Sequence, residues 1–133
     1  MKILLVDDSA QIRRVLKELL ADAATEFMEC ADGDEAPATY ARYQPDFVLM
    51  DISMPRVNGI TATRQILQTD PTARILILTN LAHDEFRQAA FDAGACGYVL
   101  KDDLLNLRQW LELLAQEVSV PTQLSTTEKG QFQ

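Results

Sequence analysis

Five side chains that carry a charge or a hydroxyl group stand at the ends of four short apolar runs. Asp7 and Asp8 follow KILLV, and Asp51 follows DFVLM. Thr79 follows RILIL, and Lys101 follows GYVL. Each residue alone is typical of an ordinary protein surface, but in an open parallel sheet the carboxyl ends of the strands meet at one edge, where ligands bind. The five positions therefore predict a common site.

Three carboxylates, one ammonium group and one hydroxyl group in one place favour chemistry on a phosphoryl group. Two like charges about 4 Å apart repel by roughly 4 kcal/mol at an effective dielectric constant of about 20, so clustered carboxylates need a cation or must take up protons. Magnesium suits them, because it binds carboxylate, water and phosphate oxygens. Lys101 and Thr79 can each bind a phosphoryl oxygen. Beside a metal ion and a lysine, ionised Asp51 is a competent nucleophile toward phosphorus, and the product would be an aspartyl phosphate.

The elements that must hold these residues alternate along the chain. Besides the four apolar runs, EFMEC at residues 26–30 gives a weaker strand signal. The periodicity of apolar residues predicts helices near residues 10–22, 34–43, 59–68, 84–93 and 103–118. The last of these carries an apolar stripe of Leu104, Leu107, Leu111, Leu114 and Val118. Continuous apolar strands joined by helices predict a doubly wound α/β fold, in which helices cover both faces of a parallel sheet.

The size and composition of the chain predict one globular domain. Its 133 residues are 47% hydrophobic and 24% charged, a balance that is typical of folded domains. Residues 119–133 lose the apolar periodicity and are rich in Thr, Ser and Gln. We therefore expect a domain at residues 1–118 and a polar tail, or the start of a linker, at residues 119–133.

Charge and residue usage argue against several function classes. The net charge of −8 disfavours nucleic acid binding by this domain, because such binding depends on clustered Lys and Arg. Cys30, Cys96 and the lone His83 lack the spacing of a zinc site, and two cysteines are too few for a disulfide framework. No apolar run reaches the roughly 18 residues of a membrane span, and no signal peptide precedes the first strand. We therefore expect a cytoplasmic protein without membrane contact.

Four stretches, taken in order, resemble the receiver domains of two-component response regulators. They are ILLVDDS, PDFVLMDISMPRVNG, RILILTN and AGACGYVLKD, and the resemblance covers nearly all of residues 1–118. A CheY-like receiver domain implies a flavodoxin-like fold, with a five-stranded parallel sheet of order 2-1-3-4-5 and five helices on both faces. It also implies that Asp51 accepts a phosphoryl group from a histidine kinase or a histidine phosphotransfer protein.

The same resemblance implies a metal site and a mode of action. Asp7, Asp8 and Asp51 would hold Mg²⁺ together with the main-chain carbonyl group of Ser53. The output would be a changed protein surface. The domain would therefore not be an enzyme for a separate substrate, and it would catalyse only its own phosphotransfer and dephosphorylation.

The resemblance assigns the remaining residues to phosphoryl binding and to the lifetime of the phosphoryl group. Thr79 and Lys101 would bind that group, and Tyr98 would be the aromatic residue whose rotamer follows the switch. Ser53 and Leu81, two residues after the acceptor and two after the threonine, would flank the phosphoryl group and tune its hydrolysis. Because Leu81 cannot hydrogen-bond a water molecule and Ser53 is short, we expect slow self-dephosphorylation; the alternative is that Leu81 packs inward and has no influence on the rate.

The last matching stretch and the helix charges indicate possible outputs. The GYVLKD ending resembles receivers of helix-turn-helix regulators of the LuxR type, which implies transcriptional signalling. The alternative is a stand-alone receiver that acts by protein–protein contact. A basic first helix and an acidic last helix suggest a homodimer that phosphorylation favours, although solvated helix faces look similar. These charged faces comprise Arg13, Arg14 and Lys17 on the first helix and Glu112, Gln116 and Glu117 on the last.

Two other functions would also account for the same acidic residues. A phosphatase of the haloacid dehalogenase type also attacks phosphorus with a strand-end aspartate, but it places a second aspartate two residues later, where this chain has Ser53. It would also need a cap domain. A binding module that has kept the fold and lost phosphorylation is disfavoured by the intact set of Asp8, Asp51, Thr79 and Lys101.

Overall fold

The computed structural model describes residues 1–22, 26–116 and 124–125. The strands are β1 (Lys2–Val6), β2 (Glu26–Cys30), β3 (Phe47–Met50), β4 (Ile75–Thr79), β5 (Gly97–Leu100) and β6 (Leu124–Ser125). The α-helices are α1 (Ala10–Leu19), α2 (Ala36–Tyr43), α3 (Gly59–Thr69), α4 (Asp84–Asp92) and α5 (Leu107–Gln116). A 3₁₀-helix, Lys101–Asn106, joins β5 to α5. In this described part of the chain, every helix is too short or too polar to cross a bilayer.

The strands form one parallel sheet of order β2-β1-β3-β4-β5-β6. The predicted five-stranded order 2-1-3-4-5 is confirmed by its first five strands. The sequence pattern does not predict β6, which pairs with β5 through Gly97↔Leu124 and Tyr98↔Ser125. This short strand lies within the stretch predicted to be a polar tail. The rest of that stretch, and the domain boundary predicted at residue 118, lie outside the described residues.

The central strands are buried along both faces, which explains their continuous apolar sequences. Leu4 and Val48 face a layer formed by α2, α3 and α4. Leu5 and Leu49, one position further along each strand, face α1 and α5. The side chain of Trp110 in α5 is fully buried in this second layer. The sheet is therefore a rigid, doubly covered platform whose carboxyl ends are held in fixed register.

Side-chain caps begin the two helices that follow the acidic strand ends. The Ser9 hydroxyl accepts a hydrogen bond from the N–H of Ile12 at 3.2 Å, at the N-cap position of α1. The Asn58 side chain accepts one from the N–H of Thr61 at 2.9 Å at the start of α3. Each cap ends the loop that carries an acidic residue, so the length of that loop is fixed.

The prediction of one helix over residues 103–118 is wrong at its start. The 3₁₀-helix occupies this region up to Asn106, and α5 begins at Leu107. A 3₁₀-helix also brings residues three positions apart onto one side, so the leucine spacing could not distinguish the two helix types. Of the predicted stripe, Leu107, Leu111 and Leu114 are buried, whereas Leu104 is half-buried. Val118 lies outside the described residues.

Candidate functional site

The carboxyl ends of β1, β3, β4 and β5 meet at one edge of the sheet, which we call the carboxyl edge. The structure brings together all five residues that the apolar runs predict there, and they line one open cavity of about 600 Å³. Asp7, Asp51 and Thr79 are buried, Lys101 is half-buried, and Asp8 is exposed. The cavity therefore holds two buried acids, and the exposed Asp8 lies beside them.

The three acids lie close enough to share one cation. Single carboxylate oxygens of Asp7, Asp8 and Asp51 lie within 4.8 Å of one another. The Lys101 Nζ atom is 2.8 Å from Asp7 Oδ2 and 3.5 Å from Asp51 Oδ2, so it neutralises part of their charge. Burial and the charge of Asp7 nevertheless raise the pKa of Asp51 to about 6, although Lys101 acts in the opposite direction. A hard cation with oxygen ligands would relieve this repulsion.

The backbone of Asp51 is fixed from two sides. Its N–H donates to the carbonyl group of Val6 at 2.9 Å, which anchors it to β1. On the other side, α3 packs directly on the Asp51 main chain, because a Cβ atom on Gly59 would lie only 1.9 Å from the Asp51 carbonyl oxygen. The Gly59 N–H donates to the carbonyl group of Ile52 at 3.0 Å. A glycine at this position therefore lets the helix close the loop onto the acid.

Neighbouring elements also hold Asp7. The Ser9 N–H donates to Asp7 Oδ1 at 2.9 Å, and the Arg13 guanidinium group donates to the main-chain carbonyl of Asp7. The Asp7 N–H donates to the carbonyl group of Cys30 at 3.1 Å. Both buried acids are thus placed by main-chain contacts that do not depend on a metal ion.

A chain of hydrogen bonds links the cavity to β5. The N–H of Leu81 donates to the Thr79 hydroxyl at 3.3 Å, and the Tyr98 hydroxyl donates to the Leu81 carbonyl oxygen at 2.6 Å. Tyr98 is fully buried, and burial raises its pKa to about 12, against the opposing charge of Arg87. The phenol therefore remains a neutral donor. The Arg87 guanidinium carbon lies 5.2 Å from the centre of the Tyr98 ring.

Of the two residues predicted to tune hydrolysis, Ser53 lines the cavity that holds the acids and Leu81 does not. Ser53 is exposed and lines both the 600 Å³ cavity and a neighbouring groove of about 510 Å³ between α3 and α4. Leu81 lines that groove beside Phe86 and packs against the core. The structure therefore places the Leu81 side chain on the α4 side.

Five further residues, which are not among the predicted site residues, line the cavity: Ser9, Ile12, Asn80, Asp102 and Leu104. Asn80 and Asp102 directly follow Thr79 and Lys101. The sequence signal for these two residues was therefore present, because each is the second residue after an apolar run. Ile12 and Leu104 add an apolar rim from α1 and from the 3₁₀-helix.

Residues 3–112 match the profile of the response regulator receiver domain. A chemotaxis protein CheY of Halobacterium salinarum is 41% identical over 100 residues, which are 75% of this chain and 83% of that protein. The chain belongs to the response regulator receiver domain family. The family resemblance and the fold predicted from the four sequence stretches are thereby confirmed.

Other similar proteins place receiver domains in different contexts. A solved two-component response regulator of the LuxR family from Aurantimonas sp. SI85-9A1 superposes with a TM-score of 0.84 at 36% identity, over 96% of this chain and 89% of that chain. A protein-glutamate methylesterase/protein-glutamine glutaminase of Geobacter metallireducens is 47% identical over 98 residues, which are 71% of this chain. This receiver domain spans only 28% of the length of that methylesterase.

The family also supports the chemical reading of the cavity. Receiver domains bind Mg²⁺ at an acidic pocket, and Asp7, Asp8 and Asp51 form such a cluster here. Receiver domains interact with histidine kinases and phosphotransfer partners, and they act as phosphorylation-activated switches. The three oxygen donors and the adjacent lysine of this chain fit both a hard divalent cation and a phosphoryl group.

Proposed function

We propose that Asp51 is the phosphoacceptor of a Mg²⁺-dependent switch. The observation that carries this proposal is the placement of a buried Asp51 within 4.8 Å of Asp7 and Asp8 ligand oxygens and 3.5 Å from Lys101 Nζ. An acid in these surroundings is fixed by a strand, open to a cavity and next to positive charge. A nucleophile for phosphoryl transfer needs all three properties.

In the reaction, an Asp51 carboxylate oxygen attacks the phosphorus atom of a phosphohistidine. The O–P bond forms while the P–N bond breaks, and the donor imidazole keeps the electron pair and takes up a proton. The three acids and the Ser53 main-chain carbonyl would hold Mg²⁺, which would neutralise charge on the phosphoryl oxygens when bound. Lys101, which pairs with Asp7 at 2.8 Å, would turn to one phosphoryl oxygen, and the Thr79 hydroxyl would donate to another.

The same contacts supply a route from phosphorylation to the surface. The Thr79 hydroxyl accepts the Leu81 N–H, and the Leu81 carbonyl accepts the Tyr98 hydroxyl. If Thr79 moves to the phosphoryl group, the Leu81 main chain shifts and Tyr98 changes its contacts. Changing the ratio of two states from 1:99 to 99:1 needs about 5.5 kcal/mol of differential stabilisation, so a partner that prefers the phosphorylated state would share this work.

We propose transcriptional signalling as the output, with a histidine kinase or phosphotransfer protein as the donor. The similarity to the LuxR-family regulator and the GYVLKD ending support this output. A stand-alone receiver remains the alternative, since CheY proteins match over most of their length. In either case the domain acts on its own phosphoryl group. Its cytoplasmic location remains a prediction.

The proposed homodimer has a weaker charge basis than the sequence suggests. Arg13 and Lys17 each form an ion pair of 2.8 Å with Glu29 of β2 in the same chain. Arg14 and Glu112 are exposed and keep the proposed complementarity. The Gln116 side chain and all of Glu117 lie outside the described residues. Sedimentation with and without beryllofluoride tests the idea, and an unchanged monomer at high concentration would remove it.

The acceptor is tested by labelling with acetyl phosphate. We expect Asp51→Asn to lose labelling and beryllofluoride binding while its circular dichroism spectrum stays that of the parent, because an amide oxygen is a poor nucleophile. Asp102→Asn is the matched control, since it removes an exposed carboxylate from the same cavity and should keep labelling. Full labelling of Asp51→Asn would place the acceptor elsewhere.

A further inference from the structure

Asp32 is a buried acid that the proposed chemistry does not use. It lies in the turn between β2 and α2, and only 7% of its surface is exposed. Its Oδ2 atom accepts the N–H of Arg56 at 3.0 Å, and its Oδ1 atom accepts the N–H of Val57 at 2.9 Å. Burial acts to raise the pKa of Asp32, but the backbone donors, with Val57 first and Arg56 next, hold that pKa below its usual value. The side chain is therefore a charged acceptor for three main-chain donors: the N–H of Asp34 in its own turn, at 3.3 Å, and the two distant donors of Arg56 and Val57.

These two donors belong to the segment that carries the expected metal ligand Ser53. Ser53 precedes Arg56 by three residues in the loop from Asp51 to Asn58. The hydrogen bond from the N–H of Gly59 to the carbonyl group of Ile52 closes this loop on the α3 side. Asp32 holds its opposite side from another element of the fold, more than 20 residues away in sequence.

The turn around Asp32 is shaped to sit directly on this loop. A Cβ atom on Gly33 would lie 2.3 Å from the main-chain oxygen of Val57, so the two backbones are in close contact. Asp8 and Asp32 line one shallow cavity of about 350 Å³, together with Arg56. Asp32 thus lines a cavity that shares Asp8 with the cavity that holds Asp51, and it does not line that cavity itself.

We propose that Asp32 is a positioning residue for the metal site: it clamps the loop so that the Ser53 carbonyl is held ready for Mg²⁺. This inference rests on the proposed function of the site. Removing the Asp32 carboxylate leaves every proposed ligand residue unchanged but lets the loop that carries Ser53 move. The residues that hold metal ligands in position commonly change metal affinity by 10- to 100-fold. We expect about tenfold here, because Asp32 holds one ligand of four.

The test is isothermal titration of the folded chain with Mg²⁺ alone. We expect the Asp32→Asn variant to bind Mg²⁺ about tenfold more weakly, because its amide group can accept only one of the two N–H bonds. Asp34→Asn is the control for charge. It removes the same charge from the same shallow cavity, but the Asp34 side chain pairs with the exposed Arg56 guanidinium at 3.1 Å and not with the loop backbone. We expect less than a twofold change for it.

A second control separates positioning from general stability. Asp70 accepts the Tyr40 hydroxyl at 2.8 Å and the Thr72 N–H at 3.1 Å, far from the site. We expect Asp70→Asn to lower the midpoint of thermal unfolding and to leave Mg²⁺ affinity unchanged. An equal loss of affinity in the Asp32 and Asp34 variants would overturn the inference, and so would an unchanged Asp32 variant. A parent chain that does not bind Mg²⁺ would instead overturn the proposed function itself.

Amide hydrogen exchange in the parent chain gives a readout that needs no variant. The N–H groups of Arg56 and Val57 should exchange at least tenfold more slowly than the Ser53 N–H before Mg²⁺ is added. If these two groups exchange as fast as the Ser53 N–H, then Asp32 does not hold the loop and the inference is wrong. Because this experiment uses the parent chain, its outcome does not depend on whether Asp32→Asn folds.

Discussion

Two acids at opposite ends of the sheet, Asp70 and Asp51, have pKa values that are shifted in opposite directions. At the amino ends of the strands, which we call the amino edge, Asp46 accepts the N–H of Lys2 at 2.8 Å. Asp70 accepts hydrogen bonds from the side chains of Thr72 and Tyr40, and these hold its pKa below the usual value. At the carboxyl edge, burial and Asp7 raise the pKa of Asp51 to about 6. The charged form of Asp70 is therefore stabilised by the fold, whereas the charged form of Asp51 is disfavoured by it.

This contrast follows from the different surroundings of the two carboxylates. A carboxylate that accepts hydrogen bonds from neutral donors is stabilised without a bound ligand, and the same hydrogen bonds lower its reactivity. A carboxylate that is buried beside another acid is stabilised when a cation arrives or when its charge moves onto a transferred group. The unfavourable charge of Asp51 is thus the physical basis of the proposed binding of Mg²⁺ and phosphate at this edge.

The largest expected effect tests whether the carboxyl edge is closely packed against backbone. In Gly59→Ala the new Cβ atom would meet the Asp51 carbonyl oxygen at 1.9 Å. We expect a loss of about 3 kcal/mol in the free energy of unfolding, at the upper end for overpacking. Gly94→Ala is the comparison at the amino edge. Its φ of 106° and a flexible Leu67 side chain predict a smaller loss, of about 1–2 kcal/mol. Urea unfolding measures both, and equal losses would contradict this account.

An intermediate effect tests the contrast between the acids directly. Without Mg²⁺ at pH 7, we expect Asp51→Asn to raise the free energy of unfolding by about 1–2 kcal/mol, because it removes a charge that the fold disfavours. We expect Asp70→Asn to lower it, because the carboxylate acceptor of Tyr40 and Thr72 is lost. Parallel urea titrations of both variants and the parent provide the measurement. Changes of the same sign would remove the contrast.

The difference in unfolding free energy between Asp51→Asn and the parent should change with pH in a defined direction. The pKa of Asp51 is raised from its ordinary value of 3.8 to about 6, so the folded chain binds more protons than the unfolded chain between these values. The stability contributed by the protonated Asp51 is therefore present at low pH and is lost as pH rises through about 6. The advantage of Asp51→Asn over the parent should grow from about pH 4 to about pH 6 and should shrink when Mg²⁺ is added.

The smallest expected effect concerns two sides of the carboxyl edge. We expect the Ser53→Asn, Leu81→Glu double variant to lose its acyl phosphate several-fold faster, because both new side chains can orient a water molecule. Since Leu81 lines the α3–α4 groove, most of this change should come from Ser53→Asn alone. The decay of the labelled protein measures the rate. Equal or slower decay in the double variant would refute the claim.

The strands and the convergent acids were predictable because burial on both faces demands continuous apolar runs, and each run has one carboxyl end. The start of α5 was not, because leucine spacing fits both helix types. Asp32 was missed because its hydrogen bonds join residues 24 and 25 positions apart, which no local pattern records. The pairing of Arg13 with Glu29 was missed for the same reason, since α1 meets β2 only in the folded chain.

The β2 strand forms an outer edge of the sheet, and its composition bears on how the protein behaves at high concentration. It carries the exposed Met28 between Glu26 and Glu29, on a backbone edge that could pair with another sheet. Glu29 also holds Arg13 and Lys17, and hydrogen bonding from Lys17 lowers its pKa. The charge beside Met28 therefore persists into the acidic range. Strand-to-strand aggregation along β2 would have to bury these charges, and we therefore expect them to disfavour amyloid-like growth from this edge.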